Sequence, residues 1–242
     1  MLSPVRICTA SEMRDLDLLA DQEFGLSASI LMENAGRAAS QIILEKFPHA
    51  GKTSEILIFA GKGNNAGDAF VVARRLICLE RKVRIFHFNN EAGYKDSVLA
   101  NFEILKKMKA KLTYIENISD LQSFFSSSRG PYTVIDGILG TGLKGNLEGI
   151  FYDAVEAINH ANAGEVISLD IPTGVSGDTG AVFGTSVMAN LTVSFGFPKL
   201  GHFLPPGAGK RGELVNVDIS LPPKFRKEGD KFLLMKGPMS RL

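Results

Sequence analysis

The stretch EILIFAGKGNNAGDAFVVARRL (55–76) decides the fold. Its first six residues, EILIFA (55–60), form a short apolar run that ends at a glycine, the pattern of a strand buried on both faces. Gly61 and Gly63 then allow a tight turn and a close approach of the backbone to a ligand. From Asp68 to Glu80 the sequence reads as a helix, whose N-terminus offers free N–H groups to an anion.

The same alternation continues downstream. KVRIFHF (82–88), KLTYI (111–115), TVID (133–136), EVISLD (165–170) and LTVSFG (191–196) read as strands, with helices at 96–109, 118–127 and 148–161 between them. Near-continuous apolar strands separated by helices predict a parallel sheet covered on both faces. Right-handed crossovers then give an α/β fold, a three-layer, doubly wound, mostly parallel and Rossmann-like domain. Upstream lie two helices. Ser11 is the expected N-cap of the first, with Arg14 where a capping box would want Glu. The second, SILMENAGRAASQIILEKF (29–47), places Leu31, Ala35, Ala38, Ala39, Ile42 and Ile43 on one face and ends before Pro48 and Gly51. Residues 1–221 are expected to form one domain, and the basic, Pro/Gly-punctuated segment 222–242 a C-terminal tail or linker.

Composition narrows the function. The 242 residues carry 27 basic and 26 acidic side chains, a net charge of +1, which gives no support for a nucleic-acid or anionic-membrane surface. Cys8 and Cys78 are far apart and in no metal-binding spacing, so free thiols in a reducing, cytoplasmic setting are expected. No apolar run reaches the roughly 18 residues of a membrane helix. The N-terminal stretch turns acidic too early for a signal or transit peptide.

Gly61, Gly63 and Ala66 spell the loose dinucleotide pattern GxGxxA. An ordinary dehydrogenase should also carry an acidic residue at the tip of the second strand, where this chain has His87-Phe88-Asn89-Asn90. Asn64, Asn65 and Asp68 are more polar than a phosphate cradle needs. They suit helix capping, ligand hydrogen bonds or an oxygen-liganded cation. Asp136, in TVIDGILGTGLKGNLEG (133–149), and Asp170, in EVISLDIPTGVSGDTG (165–180), end buried strands. A carboxylate there is costly unless paired, hydrogen-bonded or metal-bound. Ligands of open α/β sheets sit outside the carboxyl ends of the strands, so the 61–68 loop and both aspartates should share one crevice. General acid–base work by the aspartates, tuned or shared by Lys144, is one use; loop capping is the structural alternative. His87 and His202 read as packing or surface residues. Gly174-Val175-Ser176-Gly177-Asp178 lacks the closing glycine of a nucleophile elbow.

Five stretches in order, LMENAGRAA (31–39), GKGNNAGDAFVVARRL (61–76), VIDGILGTGLKG (134–145), SLDIPTGVSGDTG (168–180) and TVSFGFPKLGHFLPPGAGKRGELVNVDI (192–219), resemble the NAD(P)H-hydrate epimerase family, also called the YjeF N-terminal domain family. The resemblance implies an isomerase that interconverts the R and S hydrates of NADH or NADPH, so that an S-specific, ATP- or ADP-dependent dehydratase can restore the cofactor. It implies one potassium ion, held by Asn65, Asp136 and Thr173. It implies substrate contacts from Asn64, Asn65, Ala66, Gly67 and Asp68, and from Gly140, Thr141, Gly142, Leu143, Lys144, Gly145 and Asn146. Asp170 would contact substrate and act as acid/base. A homodimer through the small-residue face of the 29–47 helix is a further expectation, beside a core role for that face. The family loop usually reads NNGGDG, and Ala66 and Ala69 depart from it. Should position 66 need a positive φ, alanine would cost about 1 kcal/mol. A non-catalytic binding module of the same fold and an NAD(P)-dependent oxidoreductase remain alternatives.

Overall fold

The computed structural model describes residues 2–127 and 130–236. The first strand, β1 (Leu2–Arg6), lies outside the main sheet. The main sheet has seven strands among the described residues: β2 (Ile56–Ala60), β3 (Val83–His87), β4 (Lys111–Tyr114), β5 (Tyr132–Gly137), β6 (Ala163–Leu169), β7 (Leu191–Phe195) and β8 (Glu213–Val217). Their order is β4-β3-β2-β5-β6-β7-β8, and every neighbouring pair is parallel. The chain winds outward one way from β2 to β4 and the other way from β5 to β8. The order therefore reverses at the β2/β5 seam, and such a reversal leaves a crevice beyond the strand ends.

Helices α1 (Ala10–Phe24), α2 (Ala28–Lys46), α3 (Asn64–Cys78), α4 (Asp96–Lys107), α5 (Ile118–Ser127), α6 (Gly149–His160) and the short α7 (Pro223–Lys227) complete the fold. Strand alternation sorts them into two layers. Ile56, Ile58 and Ala60 of β2 pack in one apolar cluster with α1, α2, α3 and α4, while Leu57 and Phe59 pack in the other with α5 and α6. This is the expected three-layer arrangement. On the small-residue face of α2, Leu31, Ala35, Ala39, Ile42 and Ile43 are buried in the first cluster and Ala38 is partly buried against it, so the face contributes core. At Gly36 a Cβ atom would stand 2.5 Å from the Val71 side chain and 3.1 Å from the Asp68 carbonyl oxygen. Glycine there lets α2 lie directly on the first turns of α3.

Several local expectations need correction. The N-cap of α1 is Thr9 rather than Ser11, and its capping box is complete. The Glu12 N–H donates to the Thr9 hydroxyl (3.1 Å), and the Glu12 carboxylate accepts from the Thr9 N–H (2.6 Å). Helix α3 starts at Asn64, four residues before Asp68, so Ala66 sits in helical backbone and is fully buried. It carries no positive-φ strain. Strands β1 and β8 were not among the expected strands. In the segment from 222, α7 buries Phe225, and β9 (Phe232–Lys236) pairs antiparallel with β1. Among the described residues no helix is long and apolar enough to cross a membrane.

Candidate active site

A cleft of about 580 Å³ opens over the β2/β5 seam. Its floor and walls come from the turn after β2, the start of α3, the loop after β5, the end of β6 and one side each of α1 and α2. Gly61 makes the floor possible, since a Cβ there would stand 1.9 Å from the Ile138 carbonyl oxygen.

Beneath the floor lies Asp136, which has no solvent exposure. Its Oδ1 accepts from the Thr173 hydroxyl (2.6 Å) and the Ile138 N–H (3.2 Å), and its Oδ2 from the Ser168 hydroxyl (2.8 Å) and the Thr173 N–H (2.9 Å). Burial pushes this carboxyl upward, and the hydrogen bonds oppose the shift. The Thr173 hydroxyl has one proton but faces two acceptors, Asp136 and the Leu139 carbonyl (3.0 Å). Asn65, at 7% exposure, has both side-chain polar atoms buried without a hydrogen-bond partner. Surplus lone pairs and an orphaned amide oxygen are the donor set an oxygen-preferring cation takes.

Asp170 follows the last residue of β6 and lines the cleft. Its carboxylate forms an ion pair with Lys199, whose side chain is 2% exposed and whose Nζ also donates to the Phe195 carbonyl (2.9 Å). Asp68 and Asp17 line the same cleft. Burial raises Asp68 well above the usual carboxylate range, and the charges of Asp170 and Asp17 add to the rise. Burial also pushes Asp17 up to about 6, with Lys199 lowering it and Asp170 raising it. Three carboxyls thus compete for one ammonium group, and Asp68 is the one best placed to keep a proton.

The Asp17 shift has a stability consequence. A carboxyl raised in the folded state binds its proton more tightly than in the unfolded chain. Its stabilising contribution is greatest below its ordinary value of 3.8 and declines as pH rises to about 6. Asp17→Asn is therefore expected to raise the melting temperature at about pH 7.5 and leave it unchanged near pH 4. Thermal unfolding at the two pH values measures this; equal shifts at both would contradict the assignment.

A family model described as YjeF-related protein N-terminus matches residues 28–201. The chain belongs to this family. It is 38% identical over 219 residues to the bifunctional NAD(P)H-hydrate repair enzyme Nnr of Moorella thermoacetica, a match covering 90% of this chain and 41% of that relative. It is 36% identical over 216 residues to the NAD(P)H-hydrate epimerase of Rhodopirellula baltica, covering 88% and 84%. To the NAD(P)H-hydrate epimerase of Elusimicrobium minutum it is 33% identical, covering 90% and 97%. The chain thus spans about two-fifths of the bifunctional relatives it matches and most of the single-function ones. The crystal structure of yeast ynu0 superposes with a TM-score of 0.72 at 21% identity, covering 96% of this chain and all of that one, which supports the fold.

In this YjeF-related chain, the residues singled out in the sequence fall into three groups. Asn64, Asn65, Asp68, Gly140, Thr141, Gly142, Leu143 and Asp170 line the cleft. Ala66, Gly67, Asp136 and Thr173 are buried beside or beneath it. Lys144, Gly145 and Asn146 lie on the exposed outer part of their loop, outside the cleft lining. The lysine beside Asp170 is Lys199 instead. Its signal was positional, a basic residue just past the carboxyl end of β7. Asp17 was also passed over. Met13, Asp17 and Ala20 follow helical spacing on the inward face of α1, so a carboxylate stands where the period calls for an apolar residue. His87 is a packing residue, set among Tyr94, Phe102 and Tyr114. His202 is no surface residue, being 1% exposed and bonded to the Asp170 main chain.

Proposed function

We propose that this chain is an NAD(P)H-hydrate epimerase, an isomerase that interconverts the R and S hydrates of NADH and NADPH. The observation that carries the reading is one cleft holding both Asp170, paired with Lys199, and a second carboxyl, Asp68, biased toward its protonated form. Epimerisation at the hydrated carbon proceeds by loss and return of the hydroxyl or by ring opening. In the first route the C–O bond breaks with its electron pair leaving on oxygen, so the hydroxyl needs a proton to depart as water. The ring nitrogen lone pair meanwhile forms a C=N bond and the ring becomes cationic. A protonated Asp68 supplies the proton, and the Asp170 carboxylate stabilises the cation and takes a proton from returning water. In ring opening the hydroxyl instead gives up its proton as C=O forms, the C–N bond breaks with its electron pair going to nitrogen, and nitrogen takes a proton. The Asp170 carboxylate then serves as the base and the protonated Asp68 as the acid.

Other parts of the cleft fit a dinucleotide. Helix α3 has Gly63 as its N-cap, which brings no side-chain cap, so the N–H groups of Asn64 and Asn65 are free for a pyrophosphate, with Lys62 also on the cleft wall. Asn65, Asp136 and Thr173 would hold a potassium ion through their oxygens, as the orphaned amide and the crowded Thr173 hydroxyl favour. When bound, the ion supplies fixed positive charge and no proton chemistry. The relatives named as bifunctional repair enzymes support coupling of this activity to a dehydratase. A cytoplasmic location, where the nicotinamide pool is, belongs to the same reading.

The test is direct. Purified protein, supplied with R-hydrate and an S-specific dehydratase, is expected to speed disappearance of the R form. A rate equal to that of the dehydratase alone would overturn the reading.

A further inference from the structure

The Asp170 main chain is held in an uncommon conformation. Its φ is +62°, in the left-handed region that non-glycine residues enter at a cost, least for Asp and Asn. Such residues persist where their surroundings over-determine them. Three contacts do so here. The Asp170 N–H donates to the Val193 carbonyl at 2.8 Å. Lys199 grips the carboxylate. The Asp170 carbonyl faces His202 Nε2 at 2.9 Å.

The partners fix the state of the His202 ring. Its Nδ1 receives the Lys199 backbone N–H at 3.0 Å, so Nδ1 is bare and acts as the acceptor. In a neutral imidazole the proton is then on Nε2, which donates to the Asp170 carbonyl. We propose that His202 is a positioning residue whose Nε2–H holds Asp170 in the left-handed conformation that aims its carboxylate into the cleft beside Lys199. Lys199 caps the short helical turn Leu200–His202 and His202 ends it, so a single turn supplies both the charge partner and the backbone clamp. Burial, with the adjacent Lys199 charge, pushes His202 down to about 3, so the ring stays neutral and takes no part in proton transfer.

The proposal rests on the reading of Asp170 as the proton-transfer group, and its test separates the two. Nitrogen-15 NMR of histidine-labelled, otherwise unaltered protein is expected to show His202 with a bare Nδ1 and a protonated Nε2, unchanged from about pH 5 to about pH 9. A ring that titrates in that range, or carries its proton on Nδ1, would overturn the proposal whatever the activity. In kinetics, His202→Phe removes both polar atoms. It is expected to lower kcat by about 100-fold, as misplacement of a reacting group by about 1 Å does, with KM within about threefold. His202→Gln keeps a donor of similar reach and is expected to stay within about tenfold of the natural kcat. Equal losses in both variants, or a change in KM alone, would also overturn it. Asp170→Asn serves as the control. Full activity in that variant would sink the proton-transfer reading, while the NMR result would still decide the clamp.

Discussion

Asp170→Asn is expected to lower the epimerisation rate by about 10²- to 10⁴-fold, the range a positioned acid or base contributes. Asparagine is the appropriate replacement because it tolerates the left-handed backbone that Asp170 adopts at φ +62°. The substitution therefore removes the charge and leaves the strand end in place. It also leaves the Lys199 ammonium, at 2% exposure, without its carboxylate. Breaking a buried pair from one side costs about 3–5 kcal/mol, so the variant should melt earlier as well. The two effects separate cleanly. Rates measured well below the melting temperature report the chemistry, and thermal unfolding reports the pair. A variant that melts early yet epimerises at the natural rate would remove Asp170 from the mechanism.

Asp136→Ala is expected to damage stability most. Four donors converge on the Asp136 carboxylate, from Ser168, Ile138 and both the N–H and hydroxyl of Thr173. Deleting the acceptor orphans them in a region closed to water, and each orphan costs about 1–3 kcal/mol, without strict additivity. A total loss of at least about 3 kcal/mol in denaturant unfolding is the expected result. A loss below about 1 kcal/mol would show that the loops after β5 and β6 hold their shape without this hub. The same variant tests the potassium proposal. Potassium, compared with choline at equal ionic strength, is expected to raise the melting temperature of the natural protein and not that of Asp136→Ala.

The sheet was legible in the sequence because its central strands are apolar on both faces. The runs around Ile58, Ile85, Ile135 and Ile167 need no partner information to be read as buried parallel strands. Of the two edge strands, β4 was read from KLTYI (111–115) and β8 was not. In β8 the first residue, Glu213, is exposed and Leu214 breaks the period, and the alternation that does run from Val215 to Ile219 was passed over because it spans the strand's end. The capping of α1 was misplaced because Ser11 and Thr9 are both good caps. The choice falls to Glu12, which stands three residues after Thr9 and so closes the box. In the site, Asp68, Asp136 and Asp170 were visible as charges at strand or helix ends. Lys199 and Asp17 were not, since they reach the cleft from segments more than 25 residues away in the chain, and only the packing of α1 and the turn after β7 brings them in. The concern over Ala66 came from assuming a loop where the chain had already entered a helix.

Gly36 carries a lesson for anyone redesigning the cleft. Because Gly36 brings no side chain of its own against Val71 and the Asp68 carbonyl, the spacing of α2 from the turn of α3 that bears Asp68 is set by the bare α2 backbone at that point. A single added methyl would act as a shim between the two helices and lift the wall formed by Leu31 and Met32 away from Asp68. Selection for altered substrate scope should therefore leave position 36 fixed and draw its diversity from Thr141 and Leu143, which line the cleft and are partly open to solvent.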